Sequence, residues 1–252
     1  MTKYLHARFF AILVGVLFLG TTLQAEEEDW LENYYKNPTP ERFVEQMKDW
    51  AADGTLDNEM AKPAVIAFIS QVLRQNRKEI EPWYAALSGL SPSQMQVLHT
   101  AMLFSRTSEA DRIMRKAFGK KYDEQKVDTK KILEMPLDKQ NTIDMLWGFF
   151  YATGSEQAVG RVILGFSFLD APDDPGGVDI PQGYLPLYKS LPIVAFNSLL
   201  ANAERHPRVV EILEKLHEEG DLSAREKEGV YDVLSEIDPK GYPPVDREND
   251  KA

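Results

Sequence analysis

Residues 141–169 read NTIDMLWGFFYATGSEQAVGRVILGFSFL, two helix-period arms divided by a glycine, and this pattern narrows the possible folds more than any other stretch. In the first arm Ile143, Leu146, Trp147 and Phe150 fall at i, i+3, i+4 and i+7, which is one face of a helix. Met145, Phe149 and Tyr151 lie off that stripe, so more than one side of the helix has to be covered. Asn141 can cap its start with Asp144 at the third helical position, and Gly154 suits a left-handed C-terminal cap. Ser155 can then cap a second arm whose apolar face is Ala158, Val159, Val162, Ile163 and Phe166. The pair predicts an αα-hairpin with a central, well-covered first helix.

The same grammar recurs on both sides. Thr39-Pro40-Glu41 places a cap before a proline, and Phe43, Val44, Met47 and Trp50 follow until Gly54. Lys62-Pro63 opens a stripe of Val65, Ile66, Ile69, Val72 and Leu73, and Ile80, Trp83, Tyr84 and Leu87 form another. Ser91-Pro92-Ser93-Gln94 and Ser223-Ala224-Arg225-Glu226 have capping-box spacing. Thr107-Ser108 starts a helix with Ala110, Ile113, Met114 and Phe118, while His206-Pro207 ends one helix and begins the next. Residues 119–140, rich in Lys and Asp, read as a solvated connection with a weak helical patch at Ile132 and Leu133. Residues 170–190 hold five prolines and glycines between Pro172 and Pro181 and form the longest irregular stretch.

No stretch of useful length has strand periodicity. About ten helices joined by short capped turns predict an all-α protein of stacked αα-hairpins, an irregular α-solenoid or orthogonal helical bundle. No fixed repeat consensus recurs. The expected organisation is a leader at 1–25, a helical domain at 26–238 with a possible subdivision near 119–140, and a flexible tail at 239–252.

The first 25 residues carry Lys3 and Arg8 ahead of an apolar run from Phe9 to Leu19, then Leu23 and Ala25 at the −3 and −1 positions of a cleavage site. This is the pattern of a secretory signal peptide cleaved after Ala25. The run is short for a span of roughly 20 residues, so no stable membrane span is expected after cleavage; retention as an anchor is the alternative. The destination is the periplasm or the medium. The chain has no cysteine, so in that oxidising compartment packing alone must hold it together. Removal of Lys3 and Arg8 takes the net charge from −11 to about −13. Such a surface repels nucleic-acid phosphates and anionic lipid and permits a basic partner.

Leu146-Trp-Gly-Phe-Phe-Tyr-Ala-Thr-Gly154, Asn202-Ala-Glu-Arg-His-Pro-Arg-Val209 and Trp30-Leu-Glu-Asn-Tyr-Tyr-Lys-Asn-Pro38 carry a resemblance to a family of uncharacterised bacterial exported proteins, over most of the mature chain. The resemblance implies a helical, exported protein and transfers no activity.

Catalytic patterns fit poorly. His206 and His217 are eleven residues apart, roughly 16 Å along one continuous helix, too far to share a metal. His217-Glu218-Glu219-Gly220-Asp221 departs from the His-Glu-x-x-His zinc pattern. Gly165-Phe-Ser167-Phe-Leu169 lacks the second glycine and the strand of a nucleophile elbow, so Ser167 reads as a core serine. Gly160 and Gly165 have phosphate-loop spacing without the Lys-Ser/Thr, and read as points of close helix approach. The Glu-Ser pair of peptidoglycan-cleaving transglycosylases is absent. Asp170, Asp173, Asp174 and Asp179 match no calcium loop, so no metal and no cofactor is expected.

One polar row remains. Ser198, Asn202 and His206 follow each other at i, i+4 on one helix face, and with Trp147 they are the expected binding residues. Their competing structural role is to satisfy backbone groups where Pro207 interrupts the helix. The expected function is an exported helical scaffold recognising an envelope protein or peptide. The alternative is a hydrolase of cell-wall or peptide substrates, which would gather His99 or His206 with distant carboxylates in a polar pocket.

Overall fold

The computed structural model describes residues 29–172 and 186–245. The leader at 1–25, residues 173–185 of the irregular stretch and the tail from 246 lie outside the described residues.

Caps set the helix boundaries. Among the described residues the elements are α1 (Trp30–Asn33), α2 (Phe43–Ala52), α3 (Lys62–Gln75), α4 (Ile80–Ala86), α5 (Pro92–Ser105), α6 (Ser108–Phe118), α7 (Lys120–Asp128), α8 (Gln140–Thr153), α9 (Glu156–Ile163), α10 (Leu191–Arg205), α11 (Pro207–Glu219) and α12 (Ala224–Ile237), with no strand. The protein is all-α. Both capping boxes form, Ser91 with Gln94 and Ser223 with Glu226, and Thr107 accepts from the Ala110 amide. Gly154 takes the left-handed conformation, φ 63° and ψ 24°, that closes the α8–α9 turn.

Three expected caps differ. Ser155 precedes α9 but makes no side-chain capping bond. Helix α8 starts at Gln140 with no side-chain cap; its entry is tied instead by Thr142 Oγ1, which donates to the Pro136 carbonyl at 3.0 Å. Thr39 accepts from Trp30 Nε1 at 2.8 Å rather than from its own helix.

Residues 119–140 are more ordered than their charge suggests. Helix α7 forms there because Tyr122, 1% exposed, packs inward and donates to Asp111 at 2.5 Å, and Lys126 pairs with the same carboxylate. Arg106, itself in the left-handed region at φ 52°, donates to Thr129 O, and Arg161 donates to Met135 O. Those two arginines pin the strand-free segment that leads into α8.

Helix α8 packs mainly on α3, and α3 also packs on α5. Gly148 makes the first pairing possible, since a Cβ there would lie 1.9 Å from the Ala64 carbonyl oxygen. A second group joins α10, α12 and the 3-10 segment Leu164–Asp170 that follows α9. There Gly165 is pressed on Ala195, and Gly229 receives the ring of Phe166. Gly160, expected to mediate a close approach, has only ordinary contact with Leu216 at 3.8 Å. The hairpin α8–α9 therefore has one arm in each group, and a single buried cluster runs through both. No described helix is long and apolar enough to cross a membrane.

Candidate functional site

Helix α10 stops at Arg205 because Pro207 cannot extend it, and His206 adopts an extended backbone, φ −128° and ψ 97°, between α10 and α11. One turn earlier, Asn202 faces α8. Tyr151 Oη donates to Asn202 Oδ1 at 2.6 Å, and Asn202 Nδ2 donates to the Ser198 carbonyl at 2.8 Å. Ser198 in turn uses its hydroxyl on Ala195 O. The polar row is real, but its groups are engaged inside the fold.

The N-terminal segment closes over the other side. The Tyr35 amide donates to Tyr151 O at 2.9 Å, and the Tyr35 hydroxyl lies 3.4 Å from His206 Nδ1. Gly154 leaves room for this ring: a Cβ there would stand 2.9 Å from Tyr35 Cδ2. Glu32 on α1 accepts from Arg205 Nη1 at 2.7 Å, and its other oxygen is 3.8 Å from His206 Nε2. Phe150 and Tyr151 present their rings to the imidazole at 5.9 and 5.5 Å. Trp147 stacks on Tyr151 at 6.3 Å, and its indole N–H has no acceptor among the described residues. Trp147, Asn202 and His206 are thus brought into one cluster, with Ser198 a turn beyond it.

Burial governs the electrostatics. His206 is 1% exposed, and desolvation, with the Lys36 and Arg205 cations, lowers its pKa to about 4. It is neutral near pH 7. Desolvation also raises Glu32 despite the Arg205 bond, and raises both Tyr35 and Tyr151. The histidine does meet a distant carboxylate, but in an enclosed contact.

No family model matches the chain, and neither does any curated protein or solved structure.

Other singled-out residues are placed as follows. Ser167 donates to Glu226 Oε1 at 2.7 Å, and Glu226 Oε2 accepts from the Ser223 amide at 2.7 Å, so this serine ties the 3-10 segment to the cap of α12. His99 is 3.1 Å from the Tyr84 hydroxyl and lies edge-on to Phe118; burial lowers its pKa. Asp170 forms a two-bond pair with Arg225 at 2.6 and 2.9 Å.

Asp144, expected at the third helical position of a capped start, lies a full turn inside α8, which begins at Gln140. It does not serve a cap: it is half-buried in α8, and desolvation raises its carboxyl to about 6. No hydrogen bond or ion pair holds it among the described residues. Its signal was visible as an acid inside the apolar run Ile143-Asp144-Met145-Leu146-Trp147.

Proposed function

We propose that this chain is an exported helical scaffold that binds a protein or peptide partner of the bacterial cell envelope. The observation that supports it is the enclosure of His206. Among the described residues, the one histidine paired with a distant carboxylate is neutral, 1% exposed and surrounded by Tyr35, Phe150 and Tyr151. A general base has to reach its substrate proton directly or through one water; this imidazole instead joins α1, α8 and the α10–α11 junction, as a tertiary clamp does. The polar bonds of Asn202 rigidify a core, which suits a surface presented on a fixed frame. Export is supported by the apolar run from Phe9 to Leu19 behind Lys3 and Arg8.

The test is cross-linking in the envelope fraction of the native host, followed by isolation of the complex and measurement of its stoichiometry. A recurrent complex of fixed stoichiometry is the expected result. Its absence over a range of salt concentrations, together with release of product from wall or peptide substrates, would overturn the reading.

One observation favours the hydrolase instead. Asp144 is a carboxyl lifted to about 6 by burial without a structural partner, which is how a general acid is prepared. Under that reading Asp144→Asn abolishes hydrolysis and leaves the fold intact.

A further inference from the structure

Glycine follows an aspartate or an asparagine once in the whole chain, at Asp53-Gly54. The pair closes α2. Asp53 keeps right-handed geometry, φ −84° and ψ −8°, and Gly54 then turns the chain left-handed at φ 88° and ψ 3°, a conformation that glycine adopts without steric cost. Asp53 is exposed, and a Cβ added to Gly54 would meet nothing within 4 Å. The turn is open on that side.

The Asp53 side chain folds back on its own backbone. Its Oδ1 accepts from the Thr55 amide at 2.8 Å, which is the hydrogen-bonded ring of an Asx turn. A carboxyl that bonds the amide two residues on has to arch over the amide in between, so Cγ is carried beside the Gly54 nitrogen. That nitrogen has no hydrogen bond among the described residues, whereas its neighbours do: the Asp53 amide donates to Asp49 O at 2.9 Å, and the Gly54 carbonyl accepts from the Asp57 amide at 3.0 Å. An electrophilic carbon, an unengaged nitrogen and a donor on the carboxyl oxygen are thus set together by three consecutive residues.

These are the parts of an intramolecular acyl substitution. The Gly54 nitrogen attacks Cγ of the protonated carboxyl, while the Thr55 N–H holds the oxygen on which charge develops. The carboxyl hydroxyl leaves as water with the proton released by the nitrogen, and a five-membered imide closes. Water then opens the ring. Addition at the side-chain carbonyl restores aspartate, and addition at the main-chain carbonyl leaves the backbone running through Cβ and Cγ, an isoaspartate of unchanged mass. No oxidant or cofactor enters, and proximity supplies the effective concentration. Ring closure needs rotation about the Asp53 Cα–C bond, and glycine as the next residue can follow it because it accepts either sign of φ.

The consequence depends on what hangs from this turn. The 3-10 turn Thr55–Asp57 carries Leu56, fully buried, into the core. Asp57 accepts from Ser93 Oγ at 2.8 Å and from Gln94 Nε2 at 2.9 Å, and Gln94 Nε2 also donates to Ala51 O at 3.1 Å. One extra main-chain atom between Ala52 and Thr55 puts Leu56 and Asp57 out of register with Ala51 and with the start of α5.

We propose that Asp53 is a site of spontaneous modification, converting to isoaspartate through a cyclic imide with the Gly54 nitrogen, and that the lengthened backbone loosens the corner between α2 and α5.

The test is prolonged warm incubation of the folded protein at neutral pH. The readout is labelling by a methyltransferase specific for isoaspartate, mapped on peptides by mass spectrometry. Label should appear at residue 53 ahead of every other aspartate. Asp53→Asn should release ammonia and reach the same product several-fold faster, because ammonia is expelled more readily than the oxygen of a carboxylate at that pH. Asp53→Glu, whose carboxyl would have to close a six-membered ring, should stay unlabelled there. Helical circular dichroism verifies that both variants are folded. Label arriving first at another aspartate, or at residue 53 only when the chain is held unfolded in urea, would overturn the proposal, as would equal label in Asp53→Glu. Aged protein should also unfold at a lower temperature than fresh protein, and aged Asp53→Glu should not. An unchanged midpoint in protein labelled at residue 53 would overturn the loosening of the corner.

Discussion

The Tyr151 hydroxyl donates to Asn202 Oδ1 at 2.6 Å across 51 residues of chain, linking α8 of one packing group to α10 of the other. Both side chains are buried. Asn202 spends its amide on the turn below it, so the phenol is the acceptor's only described side-chain donor. Tyr151→Phe leaves a buried carbonyl oxygen unpaired at nearly constant volume. It should cost about 1–3 kcal/mol, read as a lower midpoint in urea unfolding with an unchanged slope.

Acid stability should divide between two residues of opposite sign. His206 has a folded pKa of about 4 against about 6.5 when unfolded, so the folded state resists protonation. Its contribution is complete above pH 6.5 and is lost as pH falls from there to 4, up to about 3 kcal/mol in all. Replacement by Phe keeps a ring and removes this slope. Unfolding midpoints measured from pH 7 to 4 give the comparison.

Asp144 works the other way. Its folded pKa of about 6 exceeds the unfolded value, so the folded state gains stability as pH falls through 6 toward 4. At pH 8 the ionised, half-buried carboxylate is a burden, and Asp144→Asn should stabilise the protein there by about 1 kcal/mol after allowance for solvent screening. The same variant should make the loss of stability on acidification steeper than in the parent. A destabilised Asp144→Asn protein at pH 8 would mean the carboxylate has a favourable contact.

Two glycines in helices should respond oppositely to alanine. At Gly148 the added methyl would collide with Ala64 backbone, which cannot rotate away, so Gly148→Ala should force α3 and α8 apart and cost about 1–3 kcal/mol or more. At Gly160 the nearest atom is a leucine methyl at 3.8 Å. Gly160→Ala should stabilise by up to about 1 kcal/mol through helix propensity. Thermal unfolding of the two variants separates the cases.

The two capping boxes should respond alike at their serines. Ser91 sits on an exposed corner, and Ser91→Ala should cost about 1 kcal/mol. Around Ser223 the partner Glu226 is 6% exposed and also holds Ser167. Ser223→Ala removes only the hydroxyl that accepts from the Glu226 amide at 3.4 Å and should likewise cost about 1 kcal/mol, whereas Glu226→Ala frees both the Ser223 amide and the Ser167 hydroxyl and should cost about 2 kcal/mol; equal effects of these two variants in denaturant unfolding would show that the Ser167 bond adds nothing.

From sequence alone, the all-α class, the α8–α9 hairpin turning at Gly154, both capping boxes and the break at His206-Pro207 were determined. Each depends on residues within one or two turns of each other, so a local pattern carries the whole cause. The row Ser198, Asn202 and His206 was legible for the same reason, being a matter of helical spacing.

What occupied the other side of that row was decided by tertiary structure. Glu32 and Tyr35 reach His206 from about 170 residues away, and no periodicity states which helix will lie opposite which. The helix α7 was hidden because one tyrosine and one ion pair with Asp111 hold it, rather than an apolar stripe. Close approach at Gly148 and its absence at Gly160 likewise follow from which neighbour arrives, since a missing side chain permits contact and only the packing of another backbone uses it.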